Sequence, residues 1–384
     1  MKSITFKPPH RKLLTVVIAG MVLLTNNQAH AADYFFYDLG TAGGPWSSAT
    51  AINNSGQITG GNSRGTSTRD DGEILTIWNG ITPTTSELSS RGWAINSAGN
   101  VAGGYAPNNW WFFPAVWRGN TRTDLDDLGG RAADSSYSVA NGINSHGQLV
   151  GDAATPDFSA IKPMFWNNSP TATVLNTLGG ISGSANGIND SGIAVGDSFV
   201  TGDTESHATR WDVNANQAFD LGTLGGTDSS ALAINAGGQI VGWSDLAGDA
   251  ERHATLWDGL SITDLGSLGG TNSRALAINN SGQIVGWSEI ADGSQHATLW
   301  DGNALVDLNT YLDPSWVEAG WILKQAAGIN DHGWTVGTAT NSLLGITDGH
   351  AFLLSPTAVP VPGAVWLFGS AMAGLIGFGR RKAA

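Results

Sequence analysis

Seven times along this chain an Ile-Asn pair is followed by Gly three residues after the Asn, and by a second Gly four residues later. The Asn positions are Asn53, Asn96, Asn144, Asn189, Asn235, Asn279 and Asn330, spaced 43, 48, 45, 46, 44 and 51 residues apart. Four fixed positions kept over that period mark a structural repeat and restrict the fold to stacks of one supersecondary unit. Asn at the first and Gly at the fourth position of a tight turn suit type I geometry, with the Asn side chain bonding the turn backbone. Apolar flanks, as in Ala277-Ile278 and Gln283-Ile284-Val285-Gly286, make the motif strand, turn, strand. The second Gly either ends the strand or lets a neighbouring backbone approach closely.

Two further segments complete the unit. One closes on Trp78, Trp117, Trp166, Trp211, Trp257 or Trp300, followed by a polar turn such as Trp257-Asp258-Gly259. The other is Asp-Leu-Gly at 38–40, 220–222 and 264–266, with Asp307-Leu308-Asn309 a variant. Four short strands with a Trp in each period describe a propeller blade. The phase of the repeat adds a constraint. The body opens on an Asp-Leu-Gly strand and ends on a Trp-type strand, so each end lacks the partner that the other supplies. Pairing them would leave no open edge. The expected fold is all-β, a seven-bladed propeller within residues 32–355 closed by its N- and C-terminal strands. An open β-solenoid is the alternative.

Composition bounds the chemistry. No Cys is present, which removes disulfides, thiolate metal sites and cysteine nucleophiles together. The first 31 residues and the last five hold seven basic residues and no acidic ones, leaving 11 basic against 32 acidic between them, a net charge of −21. Such a body repels phosphate backbones, which argues against a nucleic-acid partner.

Both ends look like addresses. Residues 1–31 have a basic start ending at Arg11-Lys12, a twelve-residue apolar run and the small-residue site Ala29-His30-Ala31. This is a signal peptide cleaved after Ala31, with an uncleaved anchor the alternative. Residues 356–362 form a Pro-containing linker; 363–379 are uncharged and mostly apolar, at the lower limit for a spanning helix, and a basic triplet follows. Val359-Pro360-Val361-Pro362, the apolar stretch and Arg380-Arg381-Lys382 together resemble the PEP-CTERM sorting signal of Gram-negative bacteria, in the variant where Val-Pro-x-Pro stands for Pro-Glu-Pro. The resemblance implies a single transmembrane helix over 363–384, Sec-type export, processing by an exosortase, transient anchoring in the inner membrane, and a place at the cell surface or in a biofilm matrix, released or retained. The Trp-bearing strands, closest at His253-Ala254-Thr255-Leu256-Trp257 and His296-Ala297-Thr298-Leu299-Trp300, resemble bacterial extracellular HAF repeats. That family implies no activity.

Candidates for chemistry are few. His207, His253, His296 and His350 stand four residues before the Trp position, but the other units carry Ile74, Phe113 and Lys162 there, and no acidic residue keeps a fixed sequence offset. No ring of metal ligands follows. The Asp residues mostly recur with the repeat, whereas catalysis needs unlike groups in one pocket. The acidic, Gly-containing loops near 201–205 and 245–249 match no calcium-loop pattern. The expectation is therefore no catalytic, metal or cofactor residue. Two aromatic interruptions stand outside the pattern, one with Trp110 and Trp111, the other with Trp316 and Trp321. Aromatics of this kind stack on sugar rings or pack over strand edges. The sequence thus reads as an exported, monomeric, non-catalytic surface or matrix protein that contacts exopolysaccharide. A propeller-fold polysaccharide hydrolase or lyase is the alternative.

Overall fold

The computed structural model describes residues 34–63, 73–88, 90–106, 112–129 and 138–359. The expected signal segment with Ala29 and Ala31, the aromatic pair Trp110 and Trp111, and the tail from Pro360 through Val361 and Pro362 to Arg380, Arg381 and Lys382 lie outside them. The described chain is all-β. Its only helices are the 3₁₀ turn Leu308–Tyr311 and the short α-helix Pro314–Glu318.

Each repeat unit supplies one four-stranded antiparallel meander. The first contains Ser47–Ile52, Gln57–Ser63, Glu73–Asn79 and Thr82–Leu88 in sequential order. Two consecutive meanders, spanning 225–307, are joined by one parallel bridge, Arg252 to Asn272. The last sheet is composite. Trp321–Ile329, Thr335–Asn341 and Ile346–Ser355 are completed by Phe35–Asp38, which pairs antiparallel with Phe35 opposite Ser355 and Asp38 opposite Phe352. The two ends of the body thus share one sheet, as the phase of the repeat requires.

The Ile-Asn-x-x-Gly motif forms the turn between first and second strands. In each copy the Gly N–H donates to the Asn carbonyl at 3.0–3.2 Å, and the Asn N–H to the carbonyl four residues on at 3.0–3.1 Å. The Asn Oδ1 accepts backbone N–H groups of its own turn; Asn53 takes those of Ser55 and Gln57, both at 3.0 Å. The remaining end of the amide leaves the sheet. Nδ2 of Asn53 donates to the carbonyl of Asn96, Asn96 to Asn144, Asn144 to Asn189, Asn189 to Asn235, Asn235 to Asn279, Asn279 to Asn330 and Asn330 back to Asn53, at 2.9–3.2 Å. All seven side chains are buried. An open solenoid would leave Asn330 without Asn53.

The second Gly lies inside its strand and does not end it. Every first strand carries a bulge at one equivalent place, between Ala49 and Ala51 in the first sheet and between Ala275 and Ala277 in the sixth. The bulge brings a carbonyl over the facing Gly. A Cβ on Gly60 would stand 2.0 Å from the Ser48 carbonyl oxygen, and one on Gly286 1.9 Å from that of Arg274. Only a residue without a side chain fits.

Apolar side chains pack between sheets. Val241, Ala254, Ala275, Ile284 and Trp300 form one such layer, and Leu39, Ile58, Trp78, Val336 and Leu353 another. The repeated Trp spans the layer, and four of the indoles fasten it, whereas Trp257 Nε1 is buried with no hydrogen-bond partner among the described residues. The indole N–H of Trp78 donates to the carbonyl of Leu39, Trp166 to Asp126, Trp211 to Asn176 and Trp300 to Leu265, each in the preceding sheet. A buried Trp thereby satisfies its polar edge while contributing its large apolar face.

Replacing one ring amide tests this arrangement. Asn144→Ala removes the bond to Asn189 and leaves the N–H groups of His146 and Gln148 without their acceptor. The expected loss is about 3 kcal/mol in urea denaturation. Exposed Asn214→Ala should stay within about 0.5 kcal/mol of the parent.

Candidate functional site

The repeat imposes one residue type at its structural positions and leaves others free, and the free positions converge at one end of the sheets. The Asn turns occupy one end. At the opposite end, where the first strands begin, the residues just after the second Gly are Gly61, Gly104, Asp152, Asp197, Trp243, Trp287 and Thr338. Facing them across the first strands are Ser48, Arg91, Val139, Ser184, Ser230, Arg274 and Gln325. A cavity of about 830 Å³ opens at this end, lined by Trp46, Ser47, Ser48, Glu73, Arg91, Gln295, Lys324, Gln325, Thr338 and Asp348.

The wall is polar and incompletely bonded. Arg91 Nη1 meets Glu73 Oε1 at 3.3 Å. Arg91 Nε, Trp46 Nε1 and Ser48 Oγ are buried and have no hydrogen-bond partner among the described residues. These three atoms are sealed within the wall; the lining also carries the amides of Gln295 and Gln325, the Lys324 ammonium, the Thr338 hydroxyl and the Asp348 carboxylate. At the Asn end a shallower depression of about 290 Å³ is lined by the Asn residues and their neighbours. There the polar side chains bond one another: Asp331 accepts from Asn54 at 2.7 Å and from Asn280 at 2.9 Å, leaving less for a ligand.

The same register position holds two acidic side chains in the third and fourth sheets, neither of them among the residues lining the cavity. Asp152, 6% exposed, accepts from Asn141 Nδ2 at 2.6 Å. Asp197, at the same position one sheet on, accepts from Ser230 Oγ at 2.8 Å. Burial pushes the Asp152 carboxyl up to about 6, against the Asn141 hydrogen bond and with help from the Asp197 charge. Burial also raises Asp197, opposed by hydrogen bonds from Ser230 and Asn186 and by the Arg274 charge. The sequence did not single out these carboxylates, because each resembles an ordinary member of the repeat. The available signal was that one position varies through Gly, Asp, Trp and Thr while its neighbours stay fixed.

The histidines have a structural partner that linear offset hid. His207 Nδ1 lies 2.8 Å from Asp220, His253 2.8 Å from Asp264, His296 2.7 Å from Asp307 and His350 3.0 Å from Asp38. The Asp of each Asp-Leu-Gly element holds the His of the adjacent strand; for His350 that Asp lies 312 residues away, across the shared sheet. The same carboxylates cap their own turns, Gly222 N–H donating to Asp220 at 2.7 Å. Among the described residues no three His, Asp or Glu side chains gather as metal ligands.

Of the expected contact aromatics, Trp316 is 37% exposed, on the short helix. Trp321 is 5% exposed and packs against Phe36 and His350, so it is a core residue and no contact for a ligand. Its placement with the irregular loop was mistaken, because it begins the strand Trp321–Ile329. Val359, the first residue of the Val-Pro-Val-Pro segment, is buried among Leu39, Trp78 and Trp334 and donates its N–H to Tyr37 Oη at 3.2 Å.

No family model and no curated protein matches the chain. Solved structures do. A puromycin hydrolase S511A mutant is 13% identical with a TM-score of 0.52 over 82% of this chain and 54% of its own. TolB from Acinetobacter baumannii is 14% identical with a TM-score of 0.44 over 78% and 64%. The β-propeller domain of the Trilobed protease from Pyrococcus furiosus is 12% identical with a TM-score of 0.43 over 69% and 82%. The fold is a β-propeller. At these identities the likeness concerns architecture alone, and the chain spans little more than half of the hydrolase and under two thirds of TolB.

Asp152 makes a pH signature. The folded state holds its proton up to about pH 6, whereas the ordinary carboxyl value is 3.8. A carboxyl raised in the fold favours folding when protonated, so its contribution declines as pH rises from about 4 to 6 and is then lost, a span of about 3 kcal/mol. Asp152→Asn should flatten that part of the stability profile and unfold at higher urea than the parent at pH 7. Equal profiles would show that the carboxyl titrates normally.

Proposed function

We propose that this chain is an exported, seven-bladed β-propeller that binds an exopolysaccharide of the cell surface or biofilm matrix in the cavity opposite the Asn ring, without cleaving it. The observation that carries this reading is the cavity wall. It brings the amides of Gln295 and Gln325, the Thr338 hydroxyl and the charges of Lys324 and Asp348 together with the Trp46 indole. Sugar hydroxyls donate and accept, so they complement such a mixed set, and an indole edge beside them gives a ring a flat surface. The seven blades are the seven meanders, closed by the strand shared between the two ends. The signal peptide and the Val-Pro-x-Pro tail complete the proposal: Sec-type export, transient inner-membrane anchoring, processing by an exosortase, and a monomeric propeller delivered to the surface or the medium.

Polysaccharide hydrolysis is the second reading. It draws on Asp152, whose raised pKa suits a general acid, with Asp197 beside it. The burial of Asp152 favours the binding role over it, because a general acid must reach the scissile oxygen.

Incubating the mature protein with its organism's exopolysaccharide separates the two. Retention without new reducing or unsaturated ends is expected, with retention falling at least tenfold in Trp46→Ala. Release of new ends that stops in Asp152→Asn would replace the binding role with catalysis. No retention and no cleavage would sink both. For the tail, removal of residues 359–384 should send the protein to the medium without passage through the membrane fraction. Unchanged fractionation would count against sorting.

A further inference from the structure

Past Ser355, where the last strand ends, the chain is laid across the Asn-turn end of the body. Ser355 Oγ donates to the carbonyl of Thr357, and the Trp334 indole N–H meets Thr357 Oγ1 at 3.4 Å. Pro356 lies beside Gly333 of the last Asn turn. Val359 then closes the strap. It is 6% exposed, packed with Leu39 and Trp78, and its N–H donates to Tyr37 Oη at 3.2 Å.

The site that takes this side chain is built from three parts of the fold. Tyr37 and Leu39 come from the N-terminal strand and the residue just past it, Trp334 from the last sheet and Trp78 from the first. The first sheet also differs from others at one turn. Gly follows the repeated Trp by two residues at Gly80, Gly119, Gly259 and Gly302. A Cβ on Gly119, Gly259 or Gly302 would meet open space, whereas one on Gly80 would stand 3.3 Å from Val359 Cγ1. Val359 therefore fills, at the seam of the ring, a place that those other turns leave bare. Because the N-terminal strand and the last sheet both contribute, the site exists only once the two ends have paired.

A peptidase takes its substrate as an extended chain, bonding main-chain groups and placing alternate side chains in pockets. Pro360 and Pro362 have no N–H, so Val359 and Val361 carry the only main-chain donors of the Val-Pro-Val-Pro segment. One of those two is held by Tyr37, and the side chain on the same residue is buried. We infer that the strap 355–359 is an autoinhibitory contact: docked on the closed ring, it withholds the Val-Pro-Val-Pro segment from the peptidase that processes the tail. This rests on the sorting-tail reading above and adds its regulation. The chain before ring closure is then the fast substrate, and the closed ring the slow one.

Two variants loosen the site without touching the segment. Tyr37→Phe removes the acceptor of the Val359 N–H, and Trp334→Ala removes one wall of the site. The full chain is treated with elastase, which cuts after small residues, and cleavage after Ala358 is followed by mass spectrometry. Tyr37→Phe is expected to speed that cut about fivefold, and Trp334→Ala about tenfold or more. In the producing organism, a pulse–chase of the same variants should show the processed form appearing faster in the same order. Unchanged urea midpoints show that the faster cut reflects release of the strap and not unfolding; should Trp334→Ala lower the midpoint, Tyr37→Phe alone carries the comparison. Equal rates after Ala358 in the parent and the variants overturn the strap. A faster cut by elastase with unchanged processing in the organism overturns its inhibitory role. No processed form of any chain overturns the sorting reading and the inhibitory role with it, while the elastase rates still decide whether the strap is docked.

Discussion

A primary amide places a donor and an acceptor on one small rigid group, and the seven repeated Asn side chains use both. The oxygen organises its own turn; the nitrogen reaches the main chain of the next sheet. Local folding of a hairpin therefore prepares the group that specifies its neighbour. The last Asn returns to the first, so the register of the whole ring depends on the presence of every unit. Neither Asp, with no donor, nor Ser, too short to span the gap, could do both. The Trp indoles fasten the same interfaces further out, where apolar area is largest.

This division between fixed and free positions is what allows a repeat protein to carry a function. Positions that hold sheets together must be alike in every unit. The residues after the second Gly share no bond common to every unit, and they are acidic in two adjacent sheets, aromatic in the next two and small in the others. Asymmetry enters a nearly symmetric scaffold at the one end where the symmetric positions leave room for it.

The hairpin turns, the strand order and the sharing of one sheet between the two ends were all legible, because turn chemistry and repeat phase are written in adjacent residues. What lay beyond the sequence was partnership across 43–51 residues. The Asn nitrogen bonds a carbonyl one repeat away, and nothing in the motif marks it as the donor. The His–Asp pairs escaped for a related reason. Hairpins of different length separate His207 from Asp220 by 13 residues and His253 from Asp264 by 11, so a constant contact has no constant offset. Trp321 was misjudged because an irregular loop and the strand it leads into share a run of aromatics.

The composite sheet also fixes where the polypeptide leaves the body. Phe35 and Ser355 are opposite one another, and the strand ending at Ser355 finishes beside the last Asn turn, where Pro356 approaches Gly333 and Thr357 meets the Trp334 indole. Entrance and exit are therefore side by side, on the face away from the cavity. An attachment made at either end therefore meets the Asn-turn side of the body first. A tag or fused domain at either end would likewise leave the cavity unobstructed. The order of strands that closes the ring thus also decides which face the two ends leave clear.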